Sequence, residues 1–156
     1  MTSKTQLESK IQELESELKT FKEQLNNYKE VTLETASVGD VLEDGSIVLK
    51  KENGLALLVA PKSTEVKCQW SKEFSEVFDK LKEQGFNPSQ WFVPTQEQLT
   101  LAYNFISHHF DDNFYWSSTE EFSAACASGV LYTNGIEGFS SKASIFCVRA
   151  FRCVTY

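Results

Sequence analysis

The chain has 156 residues, 41% of them hydrophobic and 13% aromatic, with a formal net charge of -7. That composition supports one ordinary domain with a buried core plus a small appendage, and excludes a disordered chain. The acidic balance, with no basic stripe, excludes nucleic acid and an anionic membrane surface as partners.

Residues 1–33 read as a coiled-coil stalk. Leu7, Ile11, Leu14, Leu18, Phe21, Leu25 and Tyr28 alternate in steps of four and three, with Ile11, Leu18 and Leu25 at a positions and the others at d. No Gly or Pro interrupts the repeat, and Glu, Lys and Gln dominate its flanks. In a parallel bundle Lys10 would face Glu15 of a neighbour, and Glu17 would face Lys22. Leucine at two a positions and rings at two d positions point to a parallel homotrimer about 40 Å long at ~1.5 Å per residue. The seam is too narrow for a helix folded back on its own domain.

Residues 36–156 read as an α+β domain. Asp44-Gly45 and Asn53-Gly54 mark turns around strands at Ile47–Leu49 and Leu55–Ala60. A helix is expected from Ser71, as its cap, to Gln84, closed by Gly85 and carrying Phe74, Val77, Phe78 and Leu81 on one side. A second helix is expected from Thr95, where Thr95 and Gln98 fit a capping box and Leu99, Ala102, Tyr103 and Ile106 form the apolar stripe. Tyr115–Ser118, Ala124–Tyr132 and Ile136–Phe139 read as strands, with a turn at Thr133-Asn134-Gly135. Ser144–Arg152 reads as one long final strand. The sheets are expected to be antiparallel.

No catalytic constellation stands out, and the expectation is a protein that is not an enzyme. His108, His109, Asp111 and Asp112 lack the spacing that places two histidines on one helical face, so they read as a solvated loop rather than a metal site. Neither histidine has a nucleophile signature beside it. No cofactor and no metal are expected. The four cysteines (Cys68, Cys126, Cys147, Cys153) lack metal or redox spacing and read as reduced and packed. Cys147 and Cys153 in one straight strand would stand roughly 20 Å apart, too far for a disulfide.

Trp91 and Trp116 read as core residues, and Arg149 as an inward-facing cation against a carboxylate or an aromatic ring. The segment 114–152 balances Lys142, Arg149 and Arg152 against Glu120, Glu121 and Glu137, a near-neutral mix suited to uncharged polar ligands such as sugars. Its polar turns supply the candidate ligand-binding residues: Tyr132, Thr133, Asn134, Glu137, Ser140, Ser141 and Lys142.

Several of these pieces together resemble the C-terminal domain family of collagen-like bacterial adhesins, the Lcl C-terminal type. They are Val38-Gly39-Asp40 with the strands to Ala60-Pro61, Trp91-Phe92-Val93-Pro94-Thr95 with Gln98-Leu99, Tyr115-Trp116-Ser117-Ser118-Thr119-Glu120, and Val148-Arg149-Ala150-Phe151-Arg152. The resemblance covers residues 36–156 and implies a C-type-lectin-like fold and a role in adhesion or recognition. Two features depart from it: Phe92 stands where the family often has arginine, and the sugar-calcium motif of animal C-type lectins is missing. The paired active-site cysteines of the related sulfatase-activating oxidases find no counterpart in the cysteine positions.

A heptad stalk and a lectin-like head, with no signal-peptide core and no apolar run long enough for a bilayer, suggest a trimeric virion appendage. On that expectation a phage tail or head fibre meets other virion proteins at its N-terminal end and binds a host-surface glycan with its head. The alternatives are a structural virion component with no ligand, such as a capsid decoration or tail adaptor, and a bacterial surface adhesin.

Overall fold

Helix-forming composition at the N-terminus and turn-punctuated apolar runs thereafter give two compact units, Met1–Glu30 and Val31–Tyr156. The computed structural model describes residues 3–27, 32–120 and 123–156, with the side chains of 25–27 left aside. Glu121 and Tyr28, and the side chain of Leu25, therefore lie outside the described residues.

The first unit is helix α1, Lys4–Asn27. Ser3 and Gln6 cap it reciprocally: the Gln6 N–H donates to Ser3 Oγ at 3.2 Å, and the Ser3 N–H donates to Gln6 Oε1 at 3.0 Å. Ion pairs from Lys4 to Glu8 and from Lys10 to Glu13 run along its surface and contribute little. Leu7, Ile11, Leu14, Leu18 and Phe21 are between 51% and 64% exposed.

The second unit is α+β, with two sheets and two helices. Strands β1 (Ile47–Glu52) and β2 (Leu55–Val59) form a hairpin at Asn53-Gly54, where both residues adopt positive φ (52° and 77°), as a tight two-residue turn requires. The last strand of the chain, β8 (Phe151–Thr155), pairs antiparallel with β2 to complete a three-stranded sheet in the order β1-β2-β8. The second sheet contains β3 (Val66–Gln69), β4 (Phe114–Glu120), β5 (Cys126–Leu131), β6 (Ile136–Ser141) and β7 (Ile145–Val148). Its order is β3-β7-β4-β5-β6, antiparallel except for a single parallel bridge between Tyr115 and Cys147.

Successive residues of a strand face opposite sides, and β4 uses that alternation to serve two cores. Tyr115 enters a cluster with Leu49, Val59, Leu99, Ile106, Val130 and Phe151, while Trp116 enters a second with Trp70, Phe74, Leu81, Trp91 and Val148. Both are fully buried. The Trp116 indole N–H donates to Cys68 O at 3.0 Å, so its polar atom is satisfied inside. Helix α3 (Gln96–Ile106) covers the first cluster, and its N-terminus carries the capping box expected at Thr95 and Gln98. Helix α2 (Ser75–Glu83) covers the second and ends at Gly85, with φ at 87°.

Four expectations are corrected. Ser144–Arg152 is not one strand: β7 and β8 lie in different sheets, and Arg149-Ala150 carries the chain between them. A buried guanidinium needs acceptors around it, and at the crossover Arg149 reaches the backbone carbonyls of Ala60 and His109. Cys147 and Cys153 therefore occupy different sheets. Helix α2 starts at Ser75 rather than Ser71: the Ser71 hydroxyl accepts the Phe74 N–H at 3.0 Å, and Phe74 (φ 46°) turns the chain before the helix begins. Tyr132 is a core residue, its hydroxyl donating to Leu99 O at 2.5 Å. Cys153 is exposed, whereas Cys68 and Cys147 are buried and Cys126 is half-buried. Strand β3 had no clear signal in the sequence, because only Cys68 of its four residues is buried.

Candidate functional site

The polar residues singled out around β6 do not converge. Thr133 and Asn134 lie in the β5–β6 turn, Lys142 lies in the β6–β7 turn, and β6 between them is six residues long. At ~3.4 Å per residue the two turns stand about 17 Å apart along one strand. Thr133, Asn134, Glu137 and Ser141 are exposed, Ser140 and Lys142 are half-buried, and Tyr132 is inside the core.

Much of the polarity of these residues is already engaged in shaping the turns. Asn134 Oδ1 accepts the Ile136 N–H at 3.1 Å, and Ser141 Oγ accepts the Ala143 N–H at 3.3 Å. Glu137 Oε1 accepts from the Thr100 hydroxyl at 2.7 Å, which ties β6 to α3. Lys142 Nζ lies 4.4 Å from the centroid of the Trp70 ring. Among the described residues β6 pairs only with β5, so it is an edge, and it exposes Ile136 (61%) and Phe139 (66%) between the polar turns.

A second arrangement, dispersed in the sequence, is brought together by the fold. Arg149 is 1% exposed. Its Nε donates to Ala60 O at 2.8 Å and its Nη1 donates to His109 O. Its Cζ is 4.7 Å from the centroid of the Phe110 ring, and Nη1 is 4.0 Å from Glu65 Oε1. Arg149 thus faces inward against both a ring and a carboxylate. Burial lowers its pKa from the ordinary arginine value, and the neighbouring Glu65 opposes that shift.

Burial also raises the pKa of the Glu65 carboxyl above the ordinary glutamate value, against the opposing hydrogen bond from Tyr115 and the charge of Arg149. Tyr115 Oη donates to Glu65 Oε1 at 2.5 Å and accepts the Asp111 N–H at 3.0 Å. Asp111 in turn forms an ion pair with Lys62.

Arg149 lines a cavity of about 270 Å³ with Lys62, His108, His109, Val41 and Ile47. The two imidazole rings lie 4.2 Å apart, centroid to centroid. Burial, then His108 and Arg149, lower the His109 pKa from the ordinary histidine value. The grouping of Lys62 and Glu65 with Arg149 had no signal in the sequence, since they are more than eighty residues apart. A separate groove of about 280 Å³ runs along the three-stranded sheet beside Leu55, Leu57, Phe92 and the exposed Cys153.

The buried thiols are poor nucleophiles, because burial pushes Cys68 and Cys147 up to about 11. Among the described residues no group of three or more His, Cys, Asp or Glu side chains could hold a metal ion. None of the described helices is long and apolar enough to cross a membrane. No family model matches the chain, and no curated protein matches it.

Proposed function

We propose that the protein is a homotrimeric virion appendage, a phage tail or head fibre, whose C-type-lectin-like head binds a host-surface receptor of glycan type. The observation that carries this reading is the seam of α1. Five apolar side chains at heptad spacing lie more than half exposed, and an apolar stripe of that regularity is stable in water when other copies cover it. Three heads would raise weak contacts at the β6 turns to useful avidity. The lectin-like reading of the head is supported by its closing strand, which lies against its opening hairpin in one sheet, and by the Tyr115-Trp116 motif, which supplies both cores.

Light scattering of the full chain at micromolar concentration tests the assembly, with three copies expected. A monomer there would remove the basis of the proposal. A glycan array probed with the oligomer then tests recognition.

A second reading, a structural virion component with no ligand, is favoured by Ile136 and Phe139. Both are exposed on the edge strand between the polar turns, where a protein neighbour would cover them. Electron microscopy of intact particles separates the two: β6 facing solvent supports recognition, and β6 against another virion protein supports the structural role.

A further inference from the structure

We infer that the cavity lined by Lys62, His108, His109 and Arg149 is a binding site for the carboxylate group of a small organic acid. This site is separate from the β6 turns and does not depend on the oligomeric reading of the stalk.

Arg149 is the centre of the inference. A buried guanidinium carries five N–H donors, and buried donors are nearly always partnered. Nε and Nη1 are satisfied by the carbonyls of Ala60 and His109. The nearest carboxylate, Glu65, stands 4.0 Å from Nη1, beyond hydrogen-bond distance, and receives its hydrogen bond from Tyr115. A nearly fully buried cation, two of whose five N–H donors meet backbone carbonyls, therefore borders a cavity of about 270 Å³.

The other walls suit the same ligand. Lys62 stands at the turn after β2, and His108 and His109 at the end of α3, so three separate segments place basic groups around one space with Arg149. A neutral imidazole offers one N–H donor, and a protonated one offers two. Val41 and Ile47 supply an apolar side against which a carbon skeleton can pack. A cavity of this volume falls just below the ~300–1,000 Å³ range of drug-sized ligand sites, which limits the occupant to about one sugar ring or a small acid.

Charge selects a monoanion. Lys62 and Arg149 are formally balanced by Asp111 and Glu65, and burial keeps the phenols of Tyr115 and Tyr132 uncharged. A dianion such as phosphate would bring a second negative charge against two resident carboxylates. A carboxylate brings one, and its two oxygens can accept from the guanidinium and from an imidazole at once.

The test is a titration of the full chain with sodium glucuronate, followed by NMR of the histidine rings and the arginine guanidinium groups. N-acetylglycine serves as a peptide-like carboxylate, methyl glucoside as an uncharged sugar, and inorganic phosphate as the dianion. Saturable shifts at His108, His109 and Arg149 are expected with either carboxylate, and the tighter of the two names the source. Methyl glucoside should leave these signals unmoved, and phosphate should bind at least about tenfold more weakly.

The double variant Lys62→Gln/His108→Gln avoids the buried arginine. It should weaken carboxylate binding about tenfold without lowering the thermal midpoint, as expected when charge-assisted hydrogen bonds are lost at an accessible wall. No saturable shift at millimolar carboxylate overturns the site. Unchanged binding by the double variant overturns its location, and phosphate binding as tight as glucuronate overturns the choice of a carboxylate.

Discussion

Replacing Arg149 with methionine removes the cation that ties the β7–β8 crossover to the rest of the head. Methionine fills much of the same space without donors. Two carbonyls, at Ala60 and His109, lose the hydrogen bonds they accept. Glu65, whose side chain is 9% exposed, loses the buried cation that stands 4.0 Å away. Breaking a buried pair from one side costs about 3–5 kcal/mol, because the remaining charge has no compensation. That is a large part of the ~5–15 kcal/mol typical of a whole domain.

Urea unfolding followed by tryptophan fluorescence reads the cost directly, since Trp70, Trp91 and Trp116 are all buried in the head. Glu65→Gln keeps an acceptor for Tyr115 and removes the buried negative charge. The double variant Glu65→Gln/Arg149→Met should therefore be more stable than the sum of the two single costs implies, by about 1 kcal/mol or more. The sign with pH follows from the raised pKa of Glu65. A carboxyl that holds its proton more tightly when folded costs stability above that pKa, and the cost is relieved as pH falls through it. The penalty of Arg149→Met should accordingly be smaller at about pH 5 than at neutral pH. A single-variant cost under ~1 kcal/mol, or additivity within ~0.5 kcal/mol, would refute the account of Arg149 and Glu65 as a coupled buried pair.

Thr95→Ala removes the acceptor of the Gln98 N–H at the start of α3, and should cost about 1 kcal/mol, read as a thermal midpoint roughly 2–4 °C lower. Gly129→Ala should prevent stable folding, as judged by circular dichroism, because the new Cβ would stand 2.2 Å from Tyr115 O and 2.6 Å from the Phe114 ring. Gly138→Ala, with nothing within 4 Å, should be tolerated. His109 has a lowered pKa in the folded state, so the unfolded chain binds the extra proton first. Stability should fall as pH drops below about 6.5, and His109→Gln should flatten that part of the profile in urea titrations at several pH values. Leu14→Asp places a charge in the exposed seam of α1 and should convert the proposed oligomer to monomer in light scattering while the circular dichroism of the head persists.

Much of the architecture was legible along the chain because local chemistry specifies it. The heptad spacing from Leu7 to Phe21, the capping box at Thr95, the turn at Asn53-Gly54 and the stop at Gly85 each act within a few residues. Tryptophans at Trp91 and Trp116 had to be buried somewhere, and both are. An inward Arg149 against a carboxylate or a ring was expected from one long final strand; Arg149 is inward and meets both, but it lies in the crossover rather than in a strand.

Where those partners come from was not legible. Glu65 is eighty-four residues away from Arg149, and Phe110 thirty-nine, and no local pattern links residues at such separations. Tyr132 shows the same limit in reverse. Beside Thr133 and Asn134 it looks like part of a polar turn, yet the packing of α3 over β5 decides that its ring is inside and its hydroxyl meets Leu99 O. Sequence by itself determined most of the helices, turns and strands, with β3 the exception, because backbone preference and apolar spacing are properties of neighbours. Tertiary structure alone decided that Ser144–Arg152 splits between two sheets and that Lys62, His108, His109 and Arg149 border one cavity. Those outcomes depend on where distant side chains find burial, charge and hydrogen-bond partners.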